Sequence, residues 1–256
     1  MKFGRNRPKS RPHHCMTRYL DFALLPPAPP SCDYAGPASG SISNIFGNDR
    51  LGDCVIAGGA HLEGVATGNA GSLWIPTLDE VIADYSAIGG YVPGEASSDQ
   101  GCDEVVALQY WQTHGFANGT KIAGAVAVDA TKPAEVQVAC WLFEGLMFGI
   151  ELPNAWVSPM PNASGFTWDT AGGPNPDQGH CVVGVGYQPA GVTIATWGML
   201  GTLTWDAIST YCTPSSGGGL YVMLTPDVVS RASQKAPTGF DWTTLLADFR
   251  DIGGSA

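Results

Sequence analysis

Residues 47–58, Gly-Asn-Asp-Arg-Leu-Gly-Asp-Cys-Val-Ile-Ala-Gly, place a cysteine, Cys54, at the start of a segment with helical character. A histidine, His180, follows 126 residues later in Gly-His-Cys-Val-Val-Gly-Val-Gly-Tyr (residues 179–187), at the start of an apolar run typical of a strand. A thiol at a helix start and an imidazole at a strand start are the two parts of a thiolate–imidazolium nucleophile. The pairing therefore favours attack by sulfur as the chemistry of this chain.

Length and composition indicate a globular protein. The chain has 256 residues, of which 44% are hydrophobic, enough for one large domain or two lobes. No apolar run approaches the roughly 18 residues of a membrane span, and the N-terminus lacks the apolar part of a secretory signal. Seven cysteines are too sparse for a disulfide framework, and their odd number leaves at least one thiol free in a monomer. We therefore expect a reducing, cytoplasmic location, or a virion if the protein is phage-encoded.

Charge is unevenly distributed along the chain, whose net charge is −11. Residues 1–20 carry six Lys and Arg residues and no acid, whereas the rest carries the other six and all 23 acidic residues. An acidic body makes nucleic acid an improbable main ligand, and we expect an extended basic N-terminus that contacts this body or another chain. A solvated, disordered tail is the alternative. No cofactor is expected, and residues 13–15 (His-His-Cys) lack a second ligand pair at zinc spacing, so no metal is expected either.

Apolar periodicity predicts helices in the first half of the chain and mostly strands in the second. Helices are expected at 54–67, with Asp53 as N-cap candidate, and at 77–86, 103–114 and 133–143. Short apolar or strand-like runs lie at 122–128, 146–152, 181–187, 192–197 and 220–224. Residues 26–40 are proline-rich and predict an extended connector, so the folded body should begin near Cys32. Helices followed by strands indicate an α+β fold, with two lobes facing each other.

The order of these pieces resembles the papain-like cysteine proteases. Residues 48–54 stand where that family has Gln-Gly-x-Cys-Gly-Ser-Cys, residues 179–187 resemble its histidine segment, and Ala195-Thr196-Trp197-Gly198 resembles its Asn-Ser-Trp-Gly. Weaker likenesses occur in the same order at 32–34, 77–84, 101–110 and 133–150. The resemblance covers about residues 31–226.

This resemblance implies a papain-like, two-lobe α+β fold. We expect a basic, proline-rich N-terminal arm (1–30), a helical lobe with the nucleophile helix (31–118), a β-rich lobe with the histidine strand (119–230) and a C-terminal extension (231–256). It also implies roles: Cys54 as nucleophile, His180 as base, and Asn48 with the Cys54 backbone N–H as oxyanion donors. The alternatives are a buried apolar thiol for Cys54 and a core histidine for His180.

Three positions depart from the family pattern. Ala195 stands where the resemblance implies the asparagine that orients the histidine ring, and a methyl group accepts no hydrogen bond. Thr193, on the same strand face, is the candidate replacement, whereas Thr196 should point the other way. Asn48 replaces a glutamine and is one methylene shorter. Asp53 adjoins the nucleophile, and its carboxylate opposes thiolate formation unless it turns away as an N-cap.

Two functional hypotheses follow. One is a cysteine peptidase-type hydrolase that acts on peptide or amide bonds of a peptide or protein substrate, weak or degenerate without its orienting residue. The other is a catalytically inactive papain-like fold, a pseudoenzyme used as a structural or interaction component of a phage particle or other large assembly. Protein–protein contacts would then run through the basic arm, with no membrane involved.

Overall fold

A computed structural model describes residues 1–10 and 14–251 and shows one large sheet flanked by helices. The helices of the described residues are α1 (Ser39–Ile42), α2 (Cys54–Asn69), α3 (Leu78–Gly89), α4 (Glu104–Thr113), α5 (Pro133–Phe143), α6 (Asn154–Val157), α7 (Trp205–Tyr211), α8 (Pro226–Lys235) and α9 (Trp242–Asp251). The strands are β1 (Arg5–Asn6), β2 (Cys32–Asp33), β3 (Cys102–Asp103), β4 (Gly124–Ala127), β5 (Leu146–Glu151), β6 (Phe166–Trp168), β7 (Gly179–Gln188), β8 (Gly191–Thr196), β9 (Met199–Thr204) and β10 (Gly219–Leu224).

The large sheet has the strand order β4-β10-β5-β7-β8-β9-β6, and β2 pairs with β7. Its pairings are antiparallel except that of β6 with β9, which is parallel. A separate parallel pair joins β1 near the N-terminus to β3. The α+β class predicted from the sequence is thus confirmed, and β7, which carries His180, lies at the centre of the large sheet.

Helix α2 carries Cys54 and is buried along almost its whole length. Two of its glycines explain how it fits. A Cβ on Gly58 would lie 2.9 Å from the sulfur of Cys181 on β7, and one on Gly59 would lie 2.1 Å from the ring of Trp111 on α4. The close packing of α2 between β7 and α4 therefore requires residues without side chains at these positions.

The folded body begins earlier than the expected position near Cys32. Met16 and Tyr19, in a 3-10 turn at Met16–Tyr19, are fully buried and belong to the core. This turn contacts α5 and α9, and the Tyr19 hydroxyl donates to Asp248 at 2.8 Å. The expectation was wrong because this stretch is basic overall, whereas a few apolar side chains within it are buried in the core.

Within the described residues, no helix is both long and apolar enough to cross a membrane. All seven cysteines are free thiols, and the sulfur atoms of Cys32 and Cys140 lie 4.0 Å apart.

Candidate active site

Cys54 occupies the first turn of α2, and its side chain is only 2% exposed. Burial raises the pKa of the thiol to about 12, while hydrogen bonds from the backbone of Cys181 and Gly4 act in the opposite direction. The sulfur thus contacts the residue that directly follows His180 on β7. It also contacts a residue of the N-terminal segment, which the sequence did not lead us to expect.

Asp53 occupies the N-cap position of α2, but its side chain makes no capping hydrogen bond. Its backbone (φ −98°, ψ 18°) differs from the extended conformation that directs an N-cap side chain toward the first turn. Its Oδ1 instead accepts from Nδ2 of Asn48 at 3.1 Å, and its Oδ2 is buried without a partner. The prediction that Asp53 caps the helix is therefore wrong. Burial raises the pKa of this carboxyl to about 7.

The Asp53→Asn variant should be more stable than the wild type at neutral and alkaline pH. Because the folded-state pKa of about 7 exceeds the ordinary 3.8, the folded protein holds this proton more tightly than the unfolded chain. The contribution of Asp53 to the free energy of unfolding is thus highest below pH 3.8 and falls by about 4 kcal/mol as the pH rises toward 7. Asparagine stays neutral and avoids this loss. Urea unfolding should show a gain that is large at pH 8 and close to zero at pH 4.

The exposed Asp79 provides a matched control, since Asp79→Asn removes a carboxylate that is not buried. It should change the free energy of unfolding little at either pH. An Asp53→Asn gain of equal size at pH 4 and pH 8 would contradict the role given to the Asp53 proton.

His180 lies near the start of β7, opposite Ile150 of β5, and is buried. Burial lowers the pKa of the imidazole to about 3. The ring stacks on Trp197, with centroids 4.4 Å apart, and meets the edge of Phe3 at 5.9 Å. Its Nε2 lies 2.8 Å from Thr196 Oγ1, whereas Nδ1 has no hydrogen-bond partner. His180 and Cys54 therefore make no hydrogen bond, and both are neutral in this state.

Thr196, and not Thr193, contacts the ring of His180. The register of β7 and β8 pairs Val183 with Ala195, so these two side chains share one face of the sheet. His180 lies three residues before Val183, and Thr196 lies one residue after Ala195, so both use the opposite face. Thr193 shares the face of Ala195. The expectation that Thr193 supplies the acceptor while Thr196 points away is wrong, because the register of β7 and β8 places Thr196, and not Thr193, on the face of His180.

The side-chain amide of Asn48 is occupied. Its Nδ2 donates to the backbone oxygen of Leu51 at 3.0 Å, to Asp53 at 3.1 Å and to the backbone oxygen of Lys2 at 3.3 Å. The group that was predicted to hold an oxyanion therefore holds a carbonyl oxygen from the N-terminus of its own chain.

Residues 2–6, which we call the arm strand, cover the candidate site. The Lys2 N–H donates to Asn48 O at 3.1 Å, and the Gly4 N–H donates to Gly179 O at 3.2 Å. The Gly4 carbonyl accepts from the Cys102 N–H at 2.8 Å. Phe3 lies against His180, the Gly4 backbone lies near the Cys54 thiol, and both site residues are buried.

Three glycines of the body let the arm strand approach closely; we call them the glycine groove (Gly52, Gly101 and Gly179). A Cβ on Gly101 would lie 1.8 Å from Gly4 O, and one on Gly179 would lie 2.1 Å from Arg5 O. Contact is equally tight from the other side, because a Cβ on Gly4 would lie 1.9 Å from Gly52 O. The groove thus accepts an extended main chain that has a glycine at the position of Gly4.

Basic residues at the N-terminus pair with acids of the same chain. Lys2 forms an ion pair with Asp99, and Arg7 forms one with Glu151 at 2.7 Å. Arg5 forms a third with Glu104 at 2.7 Å, and both side chains of that pair are fully buried. The opposite charges of the N-terminus and the body, visible in the sequence, therefore meet at the groove. Contacts of the arm with a second chain stay a prediction.

Among the described residues, no group of three or more His, Cys, Asp or Glu side chains is arranged to hold a metal ion. The sequence pointed to Cys54, His180 and Asn48, whose roles stay a prediction, but it gave no sign of the arm strand and favoured the wrong threonine. The choice of threonine depends on the register of β7 and β8, for which the sequence carries no local signal. The glycines at 52, 101 and 179 were visible, but nothing local relates them to residues 2–6.

No family model matches the sequence, and no curated protein matches it significantly. Solved structures match its fold. Xylellain, a cysteine protease from Xylella fastidiosa, is 15% identical, with a TM-score of 0.63 and coverage of 88% of this chain and 98% of its own. Procathepsin L 3 from Tenebrio molitor larval midgut is 14% identical (TM-score 0.60; 86% and 76% covered). The Amb a 11 cysteine protease, a ragweed pollen allergen in its proform, is 16% identical (TM-score 0.57; 80% and 68% covered). These similarities confirm the papain-like fold.

Proposed function

We propose that the chain is a cysteine hydrolase of peptide or amide bonds whose cleft is occupied by its own arm strand. The observation that carries this proposal is the state of the His180 ring. Its Nε2 is oriented by Thr196, while Nδ1 has no hydrogen-bond partner. The backbone of the next residue, Cys181, contacts the Cys54 sulfur. An imidazole with one oriented nitrogen and one unpaired nitrogen is the arrangement that a general base requires.

Departure of the arm strand activates this pair. Burial is the main cause that raises the thiol pKa and lowers the imidazole pKa. Entry of water therefore returns both pKa values toward those of an exposed cysteine and an exposed histidine. In this step the Nε2–H keeps its hydrogen bond to Thr196 Oγ1, and Nδ1 accepts the proton of the Cys54 thiol. Because α2 packs against the Cys181 face of β7 and His180 uses the other face, release of the arm strand must also bring the sulfur and Nδ1 together. The thiolate, at the N-terminus of α2, is stabilised by the helix dipole.

The reaction then follows acyl transfer. The thiolate attacks the carbonyl carbon, and the Cys54 N–H donates to the developing oxyanion together with the Asn48 amide, which exchanges its hydrogen bond to the Lys2 carbonyl for one to the oxyanion. The carbon–nitrogen bond breaks as the imidazolium gives its proton to the leaving amine, and an acyl-enzyme remains. Water attacks the acyl group, His180 takes the water proton, and the carbon–sulfur bond breaks to release the acid. The proton returns to the sulfur or stays on the ring.

The second candidate is a catalytically inactive fold that serves as a component of a phage particle or other large assembly. One observation favours it: the thiol and the imidazole are both buried and neutral under the arm strand, which is also how two core residues behave. In this case the ion pairs of the N-terminus have a purely structural role.

Hydrolysis by a Gly4→Ala variant separates the two candidates. The added Cβ cannot fit 1.9 Å from Gly52 O, so the arm strand is displaced while the full chain is kept. We expect Gly4→Ala to cleave a fluorescently labelled unfolded protein such as casein, and the Gly4→Ala, Cys54→Ala double variant to lack this activity. If Gly4→Ala is folded and its Cys54 is accessible but no Cys54-dependent cleavage of protein or peptide substrates occurs, the hydrolase proposal fails and the inactive fold is favoured.

A further inference from the structure

The arm strand inserts one side chain, Arg5, into a pocket of the body. The guanidinium is fully buried, and its Nε donates to Glu104 Oε1 at 2.7 Å. Its Nη1 donates to the backbone oxygen of Gly217. The pocket thus offers a carboxylate and a carbonyl to two nitrogens of one planar group, which is the geometry that distinguishes a guanidinium from an ammonium.

The pocket has room for this group because a side chain is missing from β5. A Cβ on Gly149 would lie 1.6 Å from Glu104 Oε1 and 2.6 Å from Arg5 Nε. Its walls come from separate parts of the body: Glu104 from the start of α4, Gly149 from β5, and Gly217 from the loop before β10. Any other residue at position 149 would close the pocket.

The fit of Arg5 is incomplete. Its Nη2 and the Oε2 of Glu104 are both buried without a hydrogen-bond partner. Only one nitrogen–oxygen contact joins the two side chains, where a guanidinium and a carboxylate frequently form two. The cost of two unpaired buried polar atoms reduces the net contribution of the pair, so Arg5 is a replaceable occupant.

The position of the pocket relates it to the candidate nucleophile. Arg5 directly follows Gly4, whose backbone contacts the Cys54 sulfur, and its own carbonyl lies over Gly179 of the glycine groove. A peptide that takes the path of the arm strand therefore presents one side chain to the pocket beside the nucleophile. The acidic group of this pocket is Glu104, whose pKa is raised by burial and lowered by the guanidinium of Arg5, so an arginine side chain is the partner that favours its ionised form.

We propose that the pocket formed by Glu104, Gly149 and Gly217 is a recognition site for an arginine side chain, and that the cleft takes arginine-containing peptides. The inference rests on the proposed function insofar as it assumes that the groove binds a peptide. It makes the arm strand a competitor for the same pocket. Lysine carries its charge on a single nitrogen, which does not match the two separate nitrogen positions that face Glu104 and the Gly217 carbonyl, and a neutral side chain leaves Glu104 unpaired.

Peptide binding to a full-length Gly4→Ala, Cys54→Ala protein tests this inference without any cleavage. The first probe is acetyl-Lys-Phe-Gly-Arg-Asn-amide, the sequence of residues 2–6. The second carries citrulline, a neutral isostere, in place of the arginine, and the third carries lysine. By calorimetric titration we expect the arginine peptide to bind about 10- to 100-fold more tightly than the citrulline peptide, with lysine between them.

Equal affinity for the arginine and citrulline peptides, or no binding of either at millimolar concentration, would overturn the arginine site. Neither result would affect Cys54-dependent hydrolysis, which is measured separately. Conversely, the double variant could bind the arginine peptide tightly while the Gly4→Ala variant cleaves nothing. This result would contradict the hydrolase proposal and support the arginine site.

A second variant covers the case in which the double variant does not fold. Arg5→Ala empties the pocket in the full chain, and N-propylguanidine should fill it and raise the melting temperature by several degrees at concentrations well above its Kd. Butylamine at the same concentration should raise it less. Arg7→Ala is the matched control, because the Arg7 side chain is 59% exposed. Equal effects of propylguanidine on Arg5→Ala and Arg7→Ala would contradict the inference.

Discussion

Replacing Gly4 by alanine is expected to increase the rate at which iodoacetamide alkylates Cys54 by about ten- to a hundredfold. In the wild type the thiol is 2% exposed and its pKa is about 12, so the thiolate is scarce and covered. The alanine Cβ would lie 1.9 Å from Gly52 O, and both partners are backbone that cannot rotate away. Overpacking of this kind costs about 1–3 kcal/mol. This cost shifts the equilibrium between the bound and the released arm strand toward release by about ten- to a hundredfold.

The measurement is the mass of the Cys54-containing peptide after timed labelling at pH 6 to 8. Gly36→Ala is the matched control, since a Cβ on Gly36 meets nothing within 4 Å and Gly36 lies outside the groove. It should label Cys54 at the wild-type rate. Unchanged labelling of Cys54 in a folded Gly4→Ala protein would show that the arm strand does not limit access.

Labelling should also depend on pH in a defined direction. Release of the arm strand removes the burial that raises the thiol pKa, so alkylation of the variant should approach its maximum at a lower pH than alkylation of the wild type. The pH at which the variant reaches half its maximal rate thus reports how far water entry restores the thiolate.

Local patterns in the sequence were sufficient to predict the elements that carry the candidate site. Helix α5 was predicted at its observed bounds because Pro133 is well suited to a first helical turn and the apolar period is clear. Strand β7 was recognised as an apolar run, since it is covered on both faces. Helix α2 was predicted despite its glycines, which in the structure pack closely against β7 and α4.

What the sequence did not reveal depends on contacts between distant residues. Arg5 lies 99 positions from its partner Glu104 and 212 from Gly217, and neither relation has a periodic signature. The acceptor for His180 was misassigned because the choice between neighbouring residues on β8 depends on register, and a shift of one residue reverses the face of every side chain. Helix α8 had a local signal, Thr225 as N-cap followed by Pro226, that went unused.

Removing the Thr196 hydroxyl should reduce catalysis more than binding. In the Gly4→Ala background, Thr196→Val keeps the shape of the side chain but deletes the partner of His180 Nε2, which lies 2.8 Å away. The ring is then free to hold its proton on Nδ1, the nitrogen that must accept the thiol proton. A wrong tautomer lowers turnover in a comparable triad by about four orders of magnitude, and loss of a supporting partner costs about 10- to 100-fold elsewhere.

We therefore expect kcat to fall at least about 100-fold in Thr196→Val, with KM nearly unchanged. Thr196 contacts Nε2 of the ring, whereas Phe3 of the arm strand, whose path a substrate would take, meets the ring elsewhere. Thr193→Val is the matched control: the substitution is chemically identical, on the same strand, but on the face away from His180. It should leave kcat within about twofold, since nothing catalytic is removed. A parallel rise in KM, or equal losses in both variants, would mean that the threonine supports only the fold.

The same geometry predicts that restoring the family's asparagine at position 195 does not restore the orientation of His180. Ala195→Asn introduces the amide that the family pattern has, but Ala195 is buried and shares the face of Val183 with apolar neighbours. An amide there cannot reach Nε2 and is buried without partners, so the variant should lose stability, by about 1–3 kcal/mol, and gain no activity. Combined with Thr196→Val, it should fail to restore turnover. Recovery of kcat in that double variant, measured with the substrate that Gly4→Ala cleaves, would show that position 195 and not 196 orients the histidine.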